Sequence, residues 1–237
     1  MELVISHLFK SYGSKQVLKD CDFVFEEGRI YGLLGRNGSG KTTFFNCINS
    51  DIDYNSGEFY FRPGKDSQDK TGVQPEDIGY VVSTPTVPEF MTGREFLKFF
   101  IEVHEEITPD KTIDEYFDYM MIPADDRDRL LKDYSHGTKN KMQMLVNIIA
   151  RPKLMLLDEP LTSLDVIVAE EMKNVIRSQK EGRITIFSTH LLDVAVDLCD
   201  EIVLLNHGRL EPIDKSNLGD DDFKEKIIAA LRDEDDA

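Results

Sequence analysis

The sequence predicts a layered α/β fold with a block of helices inserted into it, and three observations support that prediction. Strand and helix patterns alternate along most of the 237 residues. A glycine-rich segment directly follows an apolar strand. Between residues 92 and 150 the pattern changes to helices only. A chain of this length can bury a sizeable core, as one large domain or as two lobes.

Short apolar or alternating runs predict nine strands. They are expected near residues 3–9, 17–25, 30–34, 57–61, 78–82, 154–157, 184–188, 202–206 and 210–213. The polar stretch from residue 63 to residue 75 is rich in Gly, Lys, Asp and Gln, and it is predicted to be a solvated loop.

Apolar side chains recur at helical spacing in the block from residue 92 to residue 150. They predict a first helix through Phe96, Phe99, Phe100 and Val103, a second through Ile113, Phe117, Met120 and Met121, and a third from about Gly137 to Ile149. The aromatic residues of the first helix are interpreted as core rather than as a binding surface. From residue 219 onward, acidic residues surround Phe223, Ile227, Ile228 and Leu231, which predicts a short amphipathic helix with an acidic end.

The composition restricts the classes of function. The formal net charge of −17 disfavours direct binding of nucleic acid, because a phosphate backbone requires a basic surface. The sequence has no stretch of about 18 apolar residues and no charged-then-apolar N-terminal segment, so a membrane role is expected only through a partner. Cys21, Cys47 and Cys199 lack metal-ligand spacing and are expected to be buried, reduced thiols of a cytoplasmic protein.

The glycine-rich segment is the most informative stretch of the chain. It reads Gly35, Arg36, Asn37, Gly38, Ser39, Gly40, Lys41 and Thr42. Glycines let the backbone aim several N–H groups at one polyphosphate, Lys41 can reach the terminal phosphates, and the Thr42 hydroxyl can ligate Mg²⁺. The helix that begins near Lys41 adds its positive N-terminal dipole. A phosphate-binding loop is therefore predicted; the alternative is a glycine-rich surface turn.

Two acidic residues form a second candidate site. Asp158 and Glu159 follow the apolar run of residues 154–157, so a strand would deliver both carboxylates to the edge of the sheet beside the phosphate loop. Asp158 is expected to hold Mg²⁺ through water, and Glu159 is then available to polarise the attacking water. The alternative is that both acids only cap the end of a strand.

Further motifs lie in order around these two sites. Residues 10–13 contain Tyr12, residues 134–138 read Tyr-Ser-His-Gly-Thr, residues 160–165 read Pro-Leu-Thr-Ser-Leu-Asp, and residues 188–190 read Ser-Thr-His. In this order and spacing, the motifs resemble those of ATP-binding-cassette (ABC) ATPases, the nucleotide-binding subunits of transporters. The resemblance covers nearly the whole chain.

The resemblance implies ATP and Mg²⁺ as ligands. Tyr12 would stack on adenine, and the phosphate loop would extend to Thr43. Asp158 and Thr42 would hold the metal ion. Glu159 would act as the catalytic base, with His190 as the switch histidine at the end of its strand. Tyr12 as a strand-edge tyrosine and His190 as a helix-capping residue are the alternatives.

The motif at residues 134–138 resembles the family signature Leu-Ser-Gly-Gly-Gln. Ser135 and Gly137 are retained, and the resemblance implies that they donate a hydroxyl and a backbone N–H to the γ-phosphate bound by a second subunit. His136 stands where glycine is usual and Thr138 where glutamine is usual. His136 could add charge near that phosphate when protonated, but a solvent-facing residue at the start of a helix is the preferred interpretation.

Ser83 is the second departure from the family pattern. In the family, the strand after the Gly-Tyr pair at residues 79–80 ends in a glutamine that reaches Mg²⁺ and the attacking water. A serine hydroxyl can form a hydrogen bond but is too short, so water would have to fill the gap. This substitution is expected to affect coupling more than nucleotide binding.

The resemblance also implies the architecture. A P-loop NTPase core would carry an antiparallel β lobe and an inserted α-helical subdomain, all within one ABC ATPase domain over residues 1–237. Residues 1–83 and 152–237 would form the nucleotide-binding core with the β lobe, and residues 84–151 would form the helical subdomain.

The implied function is ATP hydrolysis in a head-to-tail dimer, with a homodimer expected, that drives transport by separate transmembrane permease subunits. The chain would lie in the cytoplasm, on the inner face of the cell membrane through its permease, without direct contact with nucleic acid. A cassette ATPase outside transport, or a nucleotide-binding regulatory module that hydrolyses weakly, is the alternative.

Two stretches of the chain bear on the membrane partner. The tyrosine-initiated signature followed by Lys139 and Lys141 resembles cassettes of bacterial drug, peptide or lantibiotic exporters. The permease is expected to dock on residues 84–91, where Val87, Phe90 and Met91 offer apolar surface and Glu89 offers charge. The alternative is that these residues pack within the helical block.

Overall fold

The computed structural model describes residues 1–104, 107–162, 164–219, 225, 227–229 and 231. Two residues of the predicted motifs and helices, Ser163 and Phe223, lie outside the described residues. Each of the nine strands predicted from the sequence is present, with bounds that differ by at most a few residues.

A four-stranded antiparallel sheet contains β1 (Glu2–Tyr12), β2 (Lys15–Glu26), β4 (Ser56–Arg62) and β5 (Thr71–Gly72) in the order β2-β1-β4-β5. The hairpin between β1 and β2 turns at Gly13, whose φ of 58° favours glycine. Strand β5 corrects the prediction of a loop throughout residues 63–75. Two residues are too short for a sequence pattern, and β5 exists because it pairs with Tyr60 and Phe61 of β4.

A six-stranded sheet forms the larger layer. It contains β10 (Arg209–Ile213), β9 (Glu201–Asn206), β3 (Ile30–Leu34), β8 (Ile184–Thr189), β7 (Leu154–Asp158) and β6 (Ile78–Val81), in that spatial order. The strands β9, β3, β8, β7 and β6 run parallel, and β10 pairs antiparallel with β9 at the edge. Every residue of β3, β7 and β8 is buried, as expected for parallel strands that are covered on both faces.

In the described residues, three helices outside the helical block follow strands of the large sheet. They are α1 (Lys41–Ile48) after β3, α6 (Val166–Ser178) between β7 and β8, and α7 (Leu192–Leu198) between β8 and β9. The stretch between β6 and β7 holds α2 (Gly93–Val103), α3 (Ile113–Tyr119), α4 (Ala124–Arg127) and α5 (His136–Ala150), with a 3₁₀ turn at Leu131–Asp133. In the described part of this stretch all regular elements are helical. The subdomain bounds at residues 84 and 151 stay a prediction.

The helices of this block begin at side-chain caps. Thr92 precedes α2 and accepts a hydrogen bond from Glu95 N, while the Glu95 carboxylate accepts one from Thr92 N. Thr112 and Glu115 repeat the arrangement at α3. These capping boxes satisfy backbone N–H groups that the first helical turn leaves unpaired, so they define where each helix starts.

Two large core clusters lie against the large sheet. One joins the small sheet and α1 to it, and the other joins α2, α3 and α5 to β7 and α6. Phe96 and Phe100 pack against the second cluster, but Phe99 is 49% exposed, so the predicted aromatic core is wrong for that residue.

The three cysteines are free and buried, as expected. Burial raises the pKa of Cys21 and of Cys199 to about 12 and that of Cys47 to about 11. The thiolate is the nucleophilic form, so these thiols are unreactive packing groups.

None of the helices in the described ranges is long and apolar enough to cross a membrane.

Candidate nucleotide site

The glycine-rich segment forms the turn between β3 and α1. Gly35 N donates to Thr189 O over 3.2 Å, and a Cβ at Gly35 would lie 2.5 Å from Ser39 Oγ. Gly38 and Gly40 have backbone φ angles of 80° and 107°, which residues with a side chain rarely adopt. Glycine is therefore required at these positions to curl the backbone over the start of α1.

The Lys41 side chain lies beneath this turn and is 5% exposed. Its ammonium donates to Gly35 O over 2.8 Å and to Arg36 O over 3.1 Å, and it lies 3.4 Å from Glu159 Oε1. Burial lowers the pKa of Lys41, although Glu159 and Asp158 oppose the shift. These contacts hold a positive charge at the base of the loop.

Asp158 ends β7 and is 3% exposed. Thr42 Oγ1 donates to its Oδ2 over 2.8 Å, and Ser188 Oγ donates to its Oδ1 over 2.6 Å. The second contact follows from strand pairing, because Asp158 and Ser188 are register partners in β7 and β8. The structure thus brings the predicted metal residues Thr42 and Asp158 together.

Ser188 is a site residue that the sequence analysis did not assign. It is fully buried, and its hydroxyl also accepts a hydrogen bond of 2.9 Å from Glu159 N. One hydroxyl thus bridges the two consecutive acids. A serine two residues before a strand-end histidine was visible in the motif, but its role depends on the register between strands.

Glu159 follows β7 with a φ of 48°, in the left-handed region, so the chain turns sharply there. Its Oε2 lies 3.2 Å from His190 Nδ1 and accepts from Thr162 Oγ1 over 3.2 Å. Burial acts to raise the pKa of Glu159, but the charge of Lys41 and the hydrogen bond with His190 outweigh it and lower the pKa below its usual range. Glu159 is therefore ionised at neutral pH and able to accept a proton.

An open cleft of about 360 Å³ lies above the loop. Its lining residues are Tyr12, Lys15, Val17, Asn37, Gly38, Gly40, Lys41, Thr42, Thr43 and Glu159. Tyr12 is 51% exposed, with Lys10 Nζ 4.7 Å from its ring centre. The structure therefore places the predicted adenine-stacking residue in the same cleft as the phosphate loop and the predicted base.

The donors in this cleft fit a magnesium nucleotide. Ser39 Oγ is buried and, among the residues described, has no hydrogen-bond partner, which suits an acceptor that the protein itself does not supply. The loop N–H groups and Lys41 suit phosphate oxygens. Thr42 and Asp158 offer the oxygen ligands that Mg²⁺ prefers.

Ser135 and Gly137 stand apart from this cleft and are not among its lining residues. Ser135 is exposed and caps α5, accepting a hydrogen bond of 3.1 Å from Thr138 N. A Cβ at Gly137 would lie 3.6 Å from Val168 Cγ1, so the start of α5 neighbours the start of α6. His136 is exposed in the first turn of α5, in agreement with the preferred interpretation.

Comparison with known proteins identifies the family. A family profile described as "ABC transporter" matches residues 18–162. The chain belongs to this family. YdbJ of Bacillus subtilis, an uncharacterized ABC transporter ATP-binding protein, is 34% identical over 97% of this chain and 74% of its own length. The resemblance found in the motifs is thereby confirmed, and the chain is an ABC transporter ATP-binding subunit.

Two solved structures share the fold of this ABC subunit. An ATP-binding subunit of an ABC transporter superposes with a TM-score of 0.78 at 22% identity, covering 96% of this chain and 100% of the other. CbiO1 from Clostridium perfringens, part of the transporter complex cbiONQ, gives 0.75 at 22% identity, covering 97% and 95%. The likeness confirms the predicted α/β ABC ATPase fold.

Proposed function

We propose that this ABC subunit hydrolyses Mg-ATP between two copies of itself and drives separate membrane-spanning permease subunits. The observation that carries the proposal is the position of Glu159. An ionised carboxylate at the edge of the nucleotide cleft is fixed by Lys41 on one side and by His190 on the other. A protein that only bound nucleotide would not need a base held in this way.

The proposed reaction is an in-line attack of water on the γ-phosphorus. Glu159 takes the proton of the attacking water while the bond from the γ-phosphorus to the bridging oxygen of ADP breaks. Lys41 and the loop N–H groups offset the charge on the transferred group. Thr42 and Asp158 would hold Mg²⁺, which supplies further charge neutralisation on the phosphates. His190 keeps the Glu159 carboxylate pointed into the cleft.

A second copy of the chain would complete the site. Ser135 and Gly137 lie outside the cleft of their own chain, and in a head-to-tail dimer they would reach the partner's γ-phosphate. The start of α6, beside Gly137, exposes Val166 and Ile167 by 81% and 72%. Two such apolar side chains near a polar signature support a protein interface at this surface.

The permease contact is proposed at residues 84–91. Phe90 is 78% exposed, whereas Val87 and Met91 are partly buried against the core cluster, so Phe90 is the main apolar contact that this segment offers. CbiO1 is described as part of a complex, which supports a partner for this chain too. Through that partner the chain would lie at the inner face of the membrane. The Tyr134 signature favours an exporter as the partner.

Replacement of the base tests the proposed reaction. General-base assistance is worth about 10²- to 10⁴-fold, so Glu159→Gln should lose that much turnover while still binding ATP. The variant should also accumulate as an ATP-bound dimer in gel filtration. Glu181→Gln is the matched control, because Glu181 is exposed and does not line the nucleotide cleft. Wild-type turnover in Glu159→Gln would exclude Glu159 as the base.

Ser83 favours a second candidate, a regulatory module that binds nucleotide with little hydrolysis. Ser83 is exposed after β6, and its side chain is short. A negligible turnover of the wild-type chain at saturating Mg-ATP, in the presence of its permease, would support this alternative. A turnover that depends on Glu159 would exclude it.

A further inference from the structure

Gln143, in the middle of α5, makes contacts that packing alone does not require. The residue is 6% exposed. Its Nε2 donates to Val82 O over 3.0 Å, and its Oε1 accepts from Thr86 N over 3.1 Å. A single buried amide thus binds the backbone on both sides of Ser83, within the segment of residues 82–91.

The helix that carries Gln143 is seated closely on β6. Asn147, one turn later, donates from its Nδ2 to Gln143 O over 2.8 Å. A Cβ at Gly79 of β6 would lie 2.5 Å from Asn147 Oδ1 and 2.7 Å from Pro152 Cγ. Only glycine at this position allows so close an approach, so the distance between α5 and the start of the segment is fixed.

The other end of the segment is also attached to the helical block. Leu131 N donates to Met91 O over 2.8 Å, and Lys132 N donates to Glu89 O over 3.3 Å. Lys139 of α5 pairs with Glu89 over 3.3 Å. Residues 82–91 are therefore bound to the helices at both ends, although they continue directly from a strand of the core.

Gln143 is a polar residue between two buried apolar residues of α5. The neighbouring Met142 and Met144 are fully buried in the core cluster. A buried amide is unfavourable unless its polar atoms are bonded, and here both are bonded to the backbone of one loop. The hydrogen bonds to the backbone of residues 82–86 therefore explain why a glutamine occupies this buried position.

We propose that Gln143 is a positioning residue that fastens the permease-docking segment, with Phe90, to the signature helix α5. When Ser135 and Gly137 at the start of α5 engage the partner's nucleotide, the segment moves with the helix rather than with the core. The chain thus ties its docking surface to α5 by an amide that reaches in from the helix, and Ser83 is not needed for this attachment. The role of the movement in driving a permease rests on the proposed function, whereas the attachment of the segment to α5 does not.

Three variants test the attachment. Gln143→Leu keeps the approximate size and removes both hydrogen bonds, Gln143→Glu replaces the amide by a titratable carboxyl group, and Met144→Leu is a control at a buried position of the same helix. Amide hydrogen exchange of residues 82–91 is measured in the purified full chain without nucleotide. Gln143→Leu should raise exchange in this segment about tenfold or more, while Met144→Leu leaves it unchanged. ATP affinity should stay within about twofold of wild type, and turnover with the permease should fall.

The pH dependence of amide exchange in Gln143→Glu shows whether the hydrogen bonds of residue 143, rather than its packing, protect residues 82–91. A protonated glutamic acid has one O–H donor and one carbonyl acceptor and can replace the amide, whereas the ionised form repels Val82 O. Burial raises the pKa of such a carboxyl group, so exchange protection of the segment, relative to wild type, should recover as the pH falls from 8 towards 6. The Lys139–Glu89 ion pair is present in both proteins, so its contribution cancels in the ratio.

The outcomes distinguish this inference from the proposed function. Wild-type exchange in Gln143→Leu, or a flat profile for Gln143→Glu, would overturn the attachment even if ATP hydrolysis is normal. Loss of protection in a chain that does not hydrolyse ATP would support the attachment while the proposed function fails. If Gln143→Leu does not fold, the ratio of exchange in Gln143→Glu to exchange in wild type, compared at the two pH values, decides.

Discussion

Lys41 Nζ and Glu159 Oε1 lie 3.4 Å apart, so the predicted phosphate-binding cation and the proposed base are direct neighbours. Each group stabilises the charged form of the other, and burial opposes the charged form of both. The net effect on the pKa differs between the two groups. For Glu159 the charge of Lys41 and the hydrogen bond with His190 outweigh burial and lower its pKa, whereas for Lys41 burial outweighs its acidic neighbours and lowers its pKa as well. The pair therefore places a buried cation of the loop directly beside the proposed base.

Lys41→Ala should abolish measurable Mg-ATP binding, because Lys41 is the buried cation at the base of the loop. Titration calorimetry or a fluorescent ATP analogue measures the loss. Lys132→Ala is the control, since Lys132 is exposed on a 3₁₀ turn of the helical block. Wild-type affinity in Lys41→Ala would refute the assignment of the site.

The Glu159 carboxylate should also contribute a pH-dependent part of the stability. Its pKa in the folded chain is below the usual value of 4.5, so its contribution is complete above that value and is lost as the pH falls through the folded pKa. The difference in the free energy of unfolding between wild type and Glu159→Gln should therefore be constant from pH 7 to pH 5 and shrink below about pH 4.5. Urea unfolding at these pH values measures it, and a gap that widens on acidification would contradict the assigned shift.

The phosphate loop and both acids could be predicted because each is contiguous in the chain. Glycine spacing after an apolar run, and two acids at the end of another run, define chemistry that does not depend on the rest of the fold. Tyr12 and His190 needed the order of several motifs. In each case the signal lies in neighbouring residues, and the structure brings Tyr12, Lys41 and Glu159 to one cleft.

Ser188, Gln143 and strand β5 could not be predicted in the same way. Ser188 acts through the register between β7 and β8, and Gln143 acts through the close approach of α5 to Gly79. Strand β5 is stabilised by the edge of β4 and not by its own two residues. Such features arise from contacts between residues far apart in sequence, which a local pattern does not encode.

Ser188→Ala should disturb the positions of both Asp158 and Glu159. Asp158 would lose a hydrogen-bond donor, and Glu159 N would lose its acceptor. The expected cost is about 1 to 3 kcal/mol, which corresponds to a loss of turnover of roughly 5- to 150-fold. Turnover and the apparent affinity for Mg²⁺ should both fall, as measured by ATPase assays over a series of Mg²⁺ concentrations.

Thr185→Val on the same strand is the matched control for Ser188→Ala. Thr185 is 1% exposed, and in the described part of the chain its Oγ1 has no partner. Replacing this hydroxyl with a methyl group should leave turnover unchanged and stabilise the chain by up to about 1 kcal/mol. Equal losses of turnover in both variants would indicate a general defect of β8 rather than a role for Ser188.

Ser83→Ala should change turnover only modestly, within roughly twofold, because Ser83 is exposed and its side chain is short. A direct catalytic role would instead produce a loss close to that of Glu159→Gln. The two variants are compared at saturating ATP. A loss of 10² or more in Ser83→Ala would mean that its hydroxyl contacts the reacting groups.

The proposed contact between Phe90 and a permease gives a prediction for a surface outside the nucleotide site. Phe90 is 78% exposed, and the adjacent Glu89 adds a negative charge that Lys139 only partly offsets, since Glu89 is 68% exposed. Cytoplasmic loops of membrane proteins carry excess Lys and Arg, so a basic partner segment suits this acidic chain, and its association should weaken with salt.

If a membrane subunit is recovered with the wild-type chain, as proposed, replacing Phe90 with Ser and Glu89 with Gln together should abolish that recovery, while ATPase activity of the isolated chain is retained. Phe99→Ser is the control, because Phe99 is an exposed aromatic residue on α2 of the same helical block. Recovery is quantified at low and high salt, and recovery with the wild-type chain should decrease as the salt concentration rises. Unchanged recovery in the double variant would exclude residues 84–91 as the docking segment, and loss of both recovery and ATPase activity would indicate a folding defect, which thermal unfolding would reveal.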